Sequence, residues 1–435
     1  MIESKLKSSV ILRMIIVAFL TLLLLVPTIF VEFLIMDRQE RRDSAIKEVS
    51  QSWGASQTLS GPILSVPYWE SRENQKEPAV STLHYIHFLP SKLMIHSTLS
   101  PEIRYRGIYE VGLYNAHILI EGEFASLDID KANVTPDKIL WQDAFITMGI
   151  SDLKGIRDTV NLNLNQSSYP SDPGVLTNDV VESGVTFKTP MEHPTVKQAF
   201  SLKLNLNGSS EIRFIPVGAS TELTMDSPWS EPSFVGNYLP ETRTVDAKGF
   251  HAQWSVLNLN RNFPQVLTGN KYKLSESSFG VRLFLPVDGY QKTSRTVKYA
   301  ILFIGLTFIS FFLSEVIAKV ILHPIQYVLI GFALVLFYVL LLSLSEYIPF
   351  NFAYAISSLS AIALVTVYSR WITRGGRISI IIPGVLVLLY TFLFVTLQLQ
   401  DYALLMGSVG LFFILILIMY LTRSIDWFSL GKQEG

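Results

Sequence analysis

Residues 10–36 read VILRMIIVAFLTLLLLVPTIFVEFLIM, a stretch long enough to cross a membrane as one helix. A helix rises about 1.5 Å per residue, so about 20 apolar residues span the roughly 30 Å hydrocarbon core of a bilayer. Within residues 10–36, charged residues or proline occur only at Arg13, Pro27 and Glu32. A cleaved secretory signal is the alternative, but its apolar core has about 7–15 residues and is followed by small residues. Residues 33–38 read FLIMDR and lack such a site, so the segment predicts an uncleaved anchor.

Further apolar segments of spanning length follow late in the chain, joined by very short connectors. Only helices and closed barrels satisfy their backbone groups in lipid, and these segments lack the alternation of barrel strands. They therefore predict five more membrane helices. The predicted helices cover residues 297–318, 325–345, 350–369, 378–397 and 402–422.

A polar region, residues 37–296, lies between the first and second predicted spans and contains no apolar run of spanning length. Several of its segments alternate between apolar and polar residues, which is typical of half-buried strands. These segments are residues 118–124, 202–206, 212–215 and 281–285. Asn207-Gly208 predicts a hairpin turn between two of them. Residues 38–53 instead indicate a charged amphipathic helix that continues the first span.

The predicted fold class is therefore an α-helical membrane protein with six spans and a large, mainly-β, sandwich-like domain inserted between spans 1 and 2. The inserted region is long enough for one large domain or for two. The predicted organisation is an N-terminus with the first span (1–36), the β-rich region (37–296), a five-helix membrane domain (297–422) and a tail (423–435).

The charges of the connectors predict the orientation in the membrane. The connector at residues 369–377 reads SRWITRGGR, and Lys319, Arg423 and Lys432 lie on the same side of the predicted spans. The alternate connectors carry Glu346 or Asp401 and no Lys or Arg. Because cytoplasmic loops are rich in Lys and Arg, both termini are expected in the cytoplasm and residues 37–296 outside it.

The composition excludes several classes of function. Of the 435 residues 49% are hydrophobic and only 16% are charged, against about 25% charged in soluble domains. Lys and Arg number 35 against 36 Asp and Glu, so no excess of positive charge favours nucleic-acid binding. The absence of cysteine excludes disulfides and thiolate chemistry.

We find no residue set that specifies a reaction. HExxH, GxSxG, Walker A and GxGxxG patterns are absent, so the protein is expected not to be an enzyme, although a membrane-embedded hydrolase stays open. Four histidines, at positions 84, 87, 96 and 117, raise the question of a metal site. On a strand, His84 and His87 would point to opposite faces, which favours ordinary histidines over metal ligands. We expect no metal and no cofactor.

The functional candidates are Glu315, His323 and Glu346, because ionisable groups in membrane segments often mark functional sites. The simplest interpretation of Glu315 is an i,i+4 ion pair with Lys319 that reaches the interface, with His323 in a turn. Glu346 lies at the end of its predicted helix, where a carboxylate reaches water. No charged residue is predicted in the middle of a span, which disfavours an ion-coupled transporter.

Several phrases of the chain, in this order, resemble the CreD family of bacterial inner-membrane proteins. The matching phrases are residues 60–67 (SGPILSVP), 106–109 (RGIY), 232–240 (PSFVGNYLP), 249–254 (GFHAQW), 296–312, 323–346 and 421–427 (LTRSIDW). The resemblance implies a multi-pass protein of the inner membrane with a periplasmic β-rich domain. It also implies a link to envelope integrity, colicin tolerance and the response to β-lactams. It supplies no catalytic residues.

Two functions follow as hypotheses. In the first, the periplasmic domain binds an envelope component or a partner protein and the helices anchor it in the membrane lipids. In the second, the C-terminal helices transport a lipid or small molecule, and Glu315, His323 or Glu346 handles protons or head groups. The oligomeric state stays open.

Overall fold

The computed structural model describes residues 10–72, 80–127, 129, 134, 138–191, 197–283, 289–318, 322–373, 378–399 and 402–423. The chain forms two compact units. The first, called here the helical unit, comprises residues 1–42 and 287–435, and the second, the β unit, comprises residues 43–286. Because the two units are separate bodies, each is described by itself.

Each predicted apolar segment contains a helix, and a further, polar helix covers residues 289–298. The helices are α1 (Val10–Leu23), α2 (Leu25–Trp53), α3 (Gly289–Lys298), α4 (Ala300–Ala318), α5 (Pro324–Ser345), α6 (Phe350–Thr373), α7 (Ile378–Gln398) and α8 (Ala403–Thr422). A break at Leu24 separates α1 from α2, yet the two continue as one long helix over residues 12–53. The helical continuation predicted for residues 38–53 is therefore confirmed.

Four helices of the described residues are long and apolar enough to cross a membrane: α1–α2, α5, α6 and α7. The pair α3 and α4 makes a fifth span only if it is counted as one, because the chain bends by 47° between them. The apolar part of α8, Leu405–Tyr420, falls below the length required for a span. Six spans are thus not confirmed, although a helix lies at each predicted position.

Close contacts between helices hold the helical unit together. At Gly331 of α5, a methyl group added to the backbone would lie 2.0 Å from the Cδ1 atom of Leu24. Only glycine permits this approach between α5 and the first helix. Phe412 and Phe413 of α8 are each 64% exposed, as expected for side chains that face lipid.

The described residues of the β unit form 17 strands. They are β1 (Gln57–Arg72), β2 (Val80–Phe88), β3 (Lys92–Arg106), β4 (Tyr109–Phe124), β5 (Phe145–Ile150), β6 (Asn161–Leu164), β7 (Ser167–Pro170), β8 (Asp172–Pro173), β9 (Gly184–Lys188), β10 (Gln198–Ser209), β11 (Glu211–Ile215), β12 (Ser220–Ser227), β13 (Pro232–Gly236), β14 (Thr242–Asp246), β15 (Gly249–Leu257), β16 (Val266–Thr268) and β17 (Phe279–Leu283). A mainly-β region is confirmed.

The strands form two sheets. The nine-stranded sheet has the order β13-β17-β11-β1-β5-β9-β8, with β2 paired to β1 and β16 paired to β2. The eight-stranded sheet has the order β14-β15-β12-β3-β4-β10-β6-β7. Strand β1 organises the first sheet, because it pairs with β11 through residues 57–60 and with β2 through residues 64–72.

One hydrophobic core lies between the two sheets, as in a sandwich. Its aromatic side chains join the sheets directly. The ring of Trp254 on β15 lies 5.8 Å from that of Phe279 on β17, and Phe234 on β13 packs edge-on against Phe250 on β15 at 5.9 Å. The sandwich-like arrangement expected from the alternating segments is therefore present.

The hairpin predicted at Asn207-Gly208 is wrong. Both residues lie inside β10, which belongs to the eight-stranded sheet, whereas β11 belongs to the nine-stranded sheet. The chain changes sheets at Ser210, whose φ of 63° is in the left-handed region. Gly208 is needed for another reason, because a Cβ there would lie 2.2 Å from the hydroxyl oxygen of Tyr114.

Candidate functional site

Glu315 lies in a buried ion pair of the helical unit. Its Oε1 atom is 2.7 Å from Nη1 of Arg13, and its Oε2 atom accepts a 2.9 Å hydrogen bond from the hydroxyl of Tyr327. The side chain of Glu315 is 2% exposed and that of Arg13 is 19% exposed. The three residues come from α1, α4 and α5, so this cluster joins three helices at one point.

The environment of Glu315 differs from the predicted one. The carboxylate does not reach the surface, and its partner is an arginine 302 positions away in the chain. Lys319, the partner predicted from sequence spacing, lies outside the described residues. Phe308 and Phe311 pack their edges against the Tyr327 ring, with centroids 5.3 and 6.3 Å away. A charge in such surroundings is stable only when it is paired, because desolvation costs several kcal/mol per ion.

Glu346 forms a second, looser cluster at the C-terminal cap of α5. Its Oε1 atom lies 3.5 Å from Nε of Arg38 on α2 and 3.3 Å from the hydroxyl of Tyr290 on α3. The side chain of Glu346 is 7% exposed and that of Arg38 is 40% exposed. The longer contacts and the solvent-exposed arginine indicate a weaker pair than Arg13–Glu315.

The two clusters lie at opposite ends of the helical unit. Arg38 follows Arg13 by 25 residues on the first long helix, which corresponds to about 37 Å at 1.5 Å per residue. The hydrocarbon core of a bilayer is about 30 Å thick. Each ion pair can therefore sit near one face of the membrane, where charges are tolerated best.

An aromatic cluster occupies the length between the two ion pairs. The ring of Phe337 contacts Tyr338, Tyr354 and Tyr390, with centroids 4.9, 5.5 and 4.8 Å away. The hydroxyl of Tyr354 donates a 2.7 Å hydrogen bond to the backbone carbonyl of Tyr390. Tight aromatic packing, with no carboxylate in these contacts, makes this part of the unit a packed core.

His323 acts as the N-terminal cap of α5. Its Nδ1 atom accepts a 3.3 Å hydrogen bond from the backbone N–H of Ile325, and the Gln326 side chain accepts one from the backbone N–H of His323 at 2.9 Å. Pro324 occupies the first turn, where its missing N–H costs nothing. The histidine is exposed, and its contacts define the start of a helix.

The structure therefore does not bring the three sequence candidates together. Glu315 and Glu346 belong to separate ion pairs, and His323 caps a helix. Sequence reasoning missed the partners, Arg13 and Arg38. The signal for Arg13 was present, because an arginine inside an apolar segment requires a buried or interfacial partner.

The β unit contains a second buried polar cluster, on the adjacent strands β1 and β2. The hydroxyl of Ser65 lies 2.8 Å from Nδ1 of His87, and Nε2 of His87 lies 3.3 Å from Oδ2 of Asp179. The hydrogen bond with His87 is the main cause that holds the pKa of the Asp179 carboxyl below its usual value, against the opposing effect of burial.

The Ser65–His87–Asp179 cluster has the residue types of a hydrolase triad but not its accessibility. Ser65 is 1% exposed and His87 is fully buried. Ser65 lies between Leu64 and Val66 in a strand whose neighbours are covered on both faces. A nucleophilic serine must meet its substrate, so this arrangement is a satisfied polar contact that fastens the Asp179 segment to the sheet. His84, on the other face of β2, contacts Glu70 instead, as the alternation predicted.

Comparison with known proteins gives one family. The profile described as Inner membrane protein CreD matches residues 9–428. Inner membrane protein CreD of Escherichia coli (strain K12) is 33% identical over 424 residues, which cover 95% of this chain and 93% of that protein. The similarity therefore includes the helical unit and the β unit alike.

Proposed function

This chain belongs to the CreD family of inner membrane proteins, and we propose that it acts without catalysis as an envelope-maintenance protein. In this proposal the helices anchor the chain in the inner membrane, and the β unit lies in the periplasm. There it binds an envelope component or a partner protein and contributes to envelope integrity under stress. Both termini lie in the cytoplasm in this proposal.

The observation that carries the proposal is the pairing of two buried carboxylates of the helical unit. Glu315 is held by Arg13 and Tyr327, and Glu346 by Arg38 and Tyr290. A carboxylate that is neutralised by an arginine on a neighbouring helix fixes helix positions and is poorly suited to load and release protons. The helices then serve as an anchor, and binding is the role of the β unit.

A pair of exposed leucines on the β unit offers the first place to search for a partner. Leu239 is 69% exposed and Leu259 is 89% exposed. The residues next to them in the chain are joined, because the hydroxyl of Tyr238 donates a 2.8 Å hydrogen bond to the carbonyl of Asn260. Exposed apolar side chains that cluster often mark interaction surfaces.

Site-specific photo-crosslinking in living cells tests the proposal. A photo-reactive amino acid is placed at Leu239 or Leu259, with Lys188, an exposed residue of β9, as the control position. We expect both leucine positions, and not Lys188, to capture the same envelope component. Capture of general chaperones alone, or the same products at all three positions, would contradict the proposal.

Transport of a lipid or small molecule is the alternative, and the buried Glu315 is the observation that favours it. Transport that depends on protonation of Glu315 requires its carboxylate. The double variant Arg13→Leu/Glu315→Leu removes both charges of the pair. If this variant folds and restores envelope integrity to cells that lack the protein, proton-coupled transport through Glu315 is excluded.

A further inference from the structure

A groove opens on the lipid-facing side of the helical unit, between α5 and α6. Its volume is about 370 Å³, and its floor consists of Ile330, Ala333 and Val365, which are at most 6% exposed. Its walls include Leu336 and Leu364, which are 56% and 53% exposed. The lining is almost wholly apolar, so an occupant must present hydrocarbon.

The groove lies toward one end of the two helices. It uses the part of α5 from Leu329 to Leu336 and the last part of α6, from Leu364 to Trp371. The two helices run in opposite directions, so these parts lie at the same side of the unit. The groove therefore belongs to one leaflet, the leaflet in which α6 ends.

An aromatic ring lines the end of the groove, and a cation precedes it in the chain. Trp371 lines it and is 75% exposed, and the exposed Arg370 precedes it in the last turn of α6. Tryptophan prefers the head-group level of a bilayer, and arginine binds phosphate oxygens strongly. Apolar walls below a tryptophan and an arginine match the order of acyl chain, glycerol and phosphate in a phospholipid.

The charge of the surrounding sequence favours an anionic lipid. Arg374 and Arg377 follow Arg370, and no Asp or Glu occurs between Glu346 and Asp401. Glu315, which contacts Tyr327 in the first turn of α5, is already paired with Arg13. The N-terminus of α5 adds the positive end of its helix dipole on the same side. The chain that follows the end of the groove is therefore rich in positive charge.

We propose that the α5–α6 groove is a binding site for one anionic phospholipid, whose acyl chain lies between Ile330 and Val365 and whose phosphate is held by Arg370 beside Trp371. The site is independent of the envelope partner proposed above. By the charge of the connector 369–377, the lipid comes from the cytoplasmic leaflet.

Native mass spectrometry of the purified full-length chain tests this site. The protein is equilibrated with equal amounts of phosphatidylglycerol and phosphatidylcholine of the same chain length, and the retained lipids are counted. We expect one phosphatidylglycerol to be retained in preference. Since one cation near a membrane surface contributes about a fivefold preference, Arg370→Gln is expected to reduce the selectivity about fivefold.

A second variant tests the chain-binding part of the groove. Leu336→Trp fills the groove from its exposed wall and is expected to abolish retention of both lipids. Leu359→Trp places the same side chain on α6 at a residue that is 65% exposed and does not line the groove. Arg423→Gln removes an exposed cation at the end of α8. Both controls are expected to bind lipid as the wild type does.

Two outcomes would overturn the proposal. Equal retention of both lipids, unchanged in Arg370→Gln and Leu336→Trp, would mean that only nonspecific boundary lipid contacts the groove. A lipid-free dimer that Leu336→Trp dissociates would place a second copy of the chain in the groove instead. Because Arg370 and Leu336 are exposed, neither substitution is expected to disturb the packed core.

Discussion

At the scale of single residues, the Arg13–Glu315 pair illustrates how strongly a buried charge depends on its partner. The contact is 2.7 Å, and the carboxylate also accepts a hydrogen bond from Tyr327. Breaking such a pair leaves an uncompensated charge, whereas replacing both members with apolar groups removes the desolvation cost as well.

We predict that Glu315→Leu and Arg13→Leu each lower the stability of the helical unit by about 3–5 kcal/mol, and that the double variant recovers most of the loss. Arg38→Leu serves as the matched control at the other end, because Arg38 is 40% exposed and its contact with Glu346 is 3.5 Å. Its effect is expected to be about 1 kcal/mol or less. Thermal unfolding in detergent measures all four variants. A double variant as unstable as the singles would contradict the interpretation.

Asp179 of the β unit leads to a prediction about pH. Its pKa is lowered in the folded state, chiefly by the hydrogen bond with His87. A carboxyl whose folded pKa is depressed adds stability above its unfolded pKa, and this contribution is lost as pH falls through the folded pKa. Wild type is therefore expected to be more stable than Asp179→Asn at neutral pH, with the difference disappearing in acid.

The measurement is the midpoint of thermal unfolding of the β unit, followed in the full chain from neutral to acid pH. Asp172→Asn is the control, because this carboxylate is 60% exposed and pairs only with Lys188 in the described part of the chain. Exposed pairs contribute little, so the control is expected to change less with pH. A difference between wild type and Asp179→Asn that stays constant down to acid pH would refute the assignment.

At the scale of secondary-structure elements, the packing of α5 on the first helix depends on one glycine. A Cβ at Gly331 would lie 2.0 Å from Leu24 Cδ1, and Leu24 is only 2% exposed, so its side chain has little room to move. Small residues allow helices to approach closely in membranes, where close contact replaces the hydrophobic effect as a source of stability.

We predict that Gly331→Ala destabilises the helical unit by about 1–3 kcal/mol through overpacking. The double variant Gly331→Ala/Leu24→Ala is expected to lose less stability than the sum of the losses of the two single variants. The reason is that the added methyl group occupies part of the space that Leu24 leaves. Gly384→Ala on α7 is the control, because a Cβ there meets no atom within 4 Å. Strict additivity in the double-mutant cycle would argue against direct contact.

The β10–β11 connection shows why alternation in the sequence identifies strands better than their pairing. Both predicted strands exist, but they belong to different sheets. A hairpin and a crossover have the same local pattern of apolar and polar residues. What separates them is the positive φ at Ser210 and the fit of Gly208 against Tyr114, a residue far away in the chain.

At the scale of the whole molecule, orientation in the membrane follows from the proposal that arginine-rich connectors are cytoplasmic. The chain contains no cysteine, so each introduced cysteine carries the only thiol. We predict that Lys188→Cys reacts with a membrane-impermeant maleimide in cells whose outer membrane is permeabilised. Gly375→Cys, in the connector after α6, is expected to react only after lysis. Labelling in the opposite order would contradict the proposed topology.

The apolar segments by themselves determined where the membrane helices form, because spanning lipid requires a length and composition that few other structures share. Alternation determined that residues 37–296 are rich in strands. The sequence also contained the ionisable candidates Glu315, His323 and Glu346, but the tertiary structure alone assigned Arg13 to Glu315, Arg38 to Glu346 and a capping role to His323. Hydropathy and periodicity are properties of neighbouring residues. An ion pair between two residues 302 positions apart depends instead on how the chain folds back on itself.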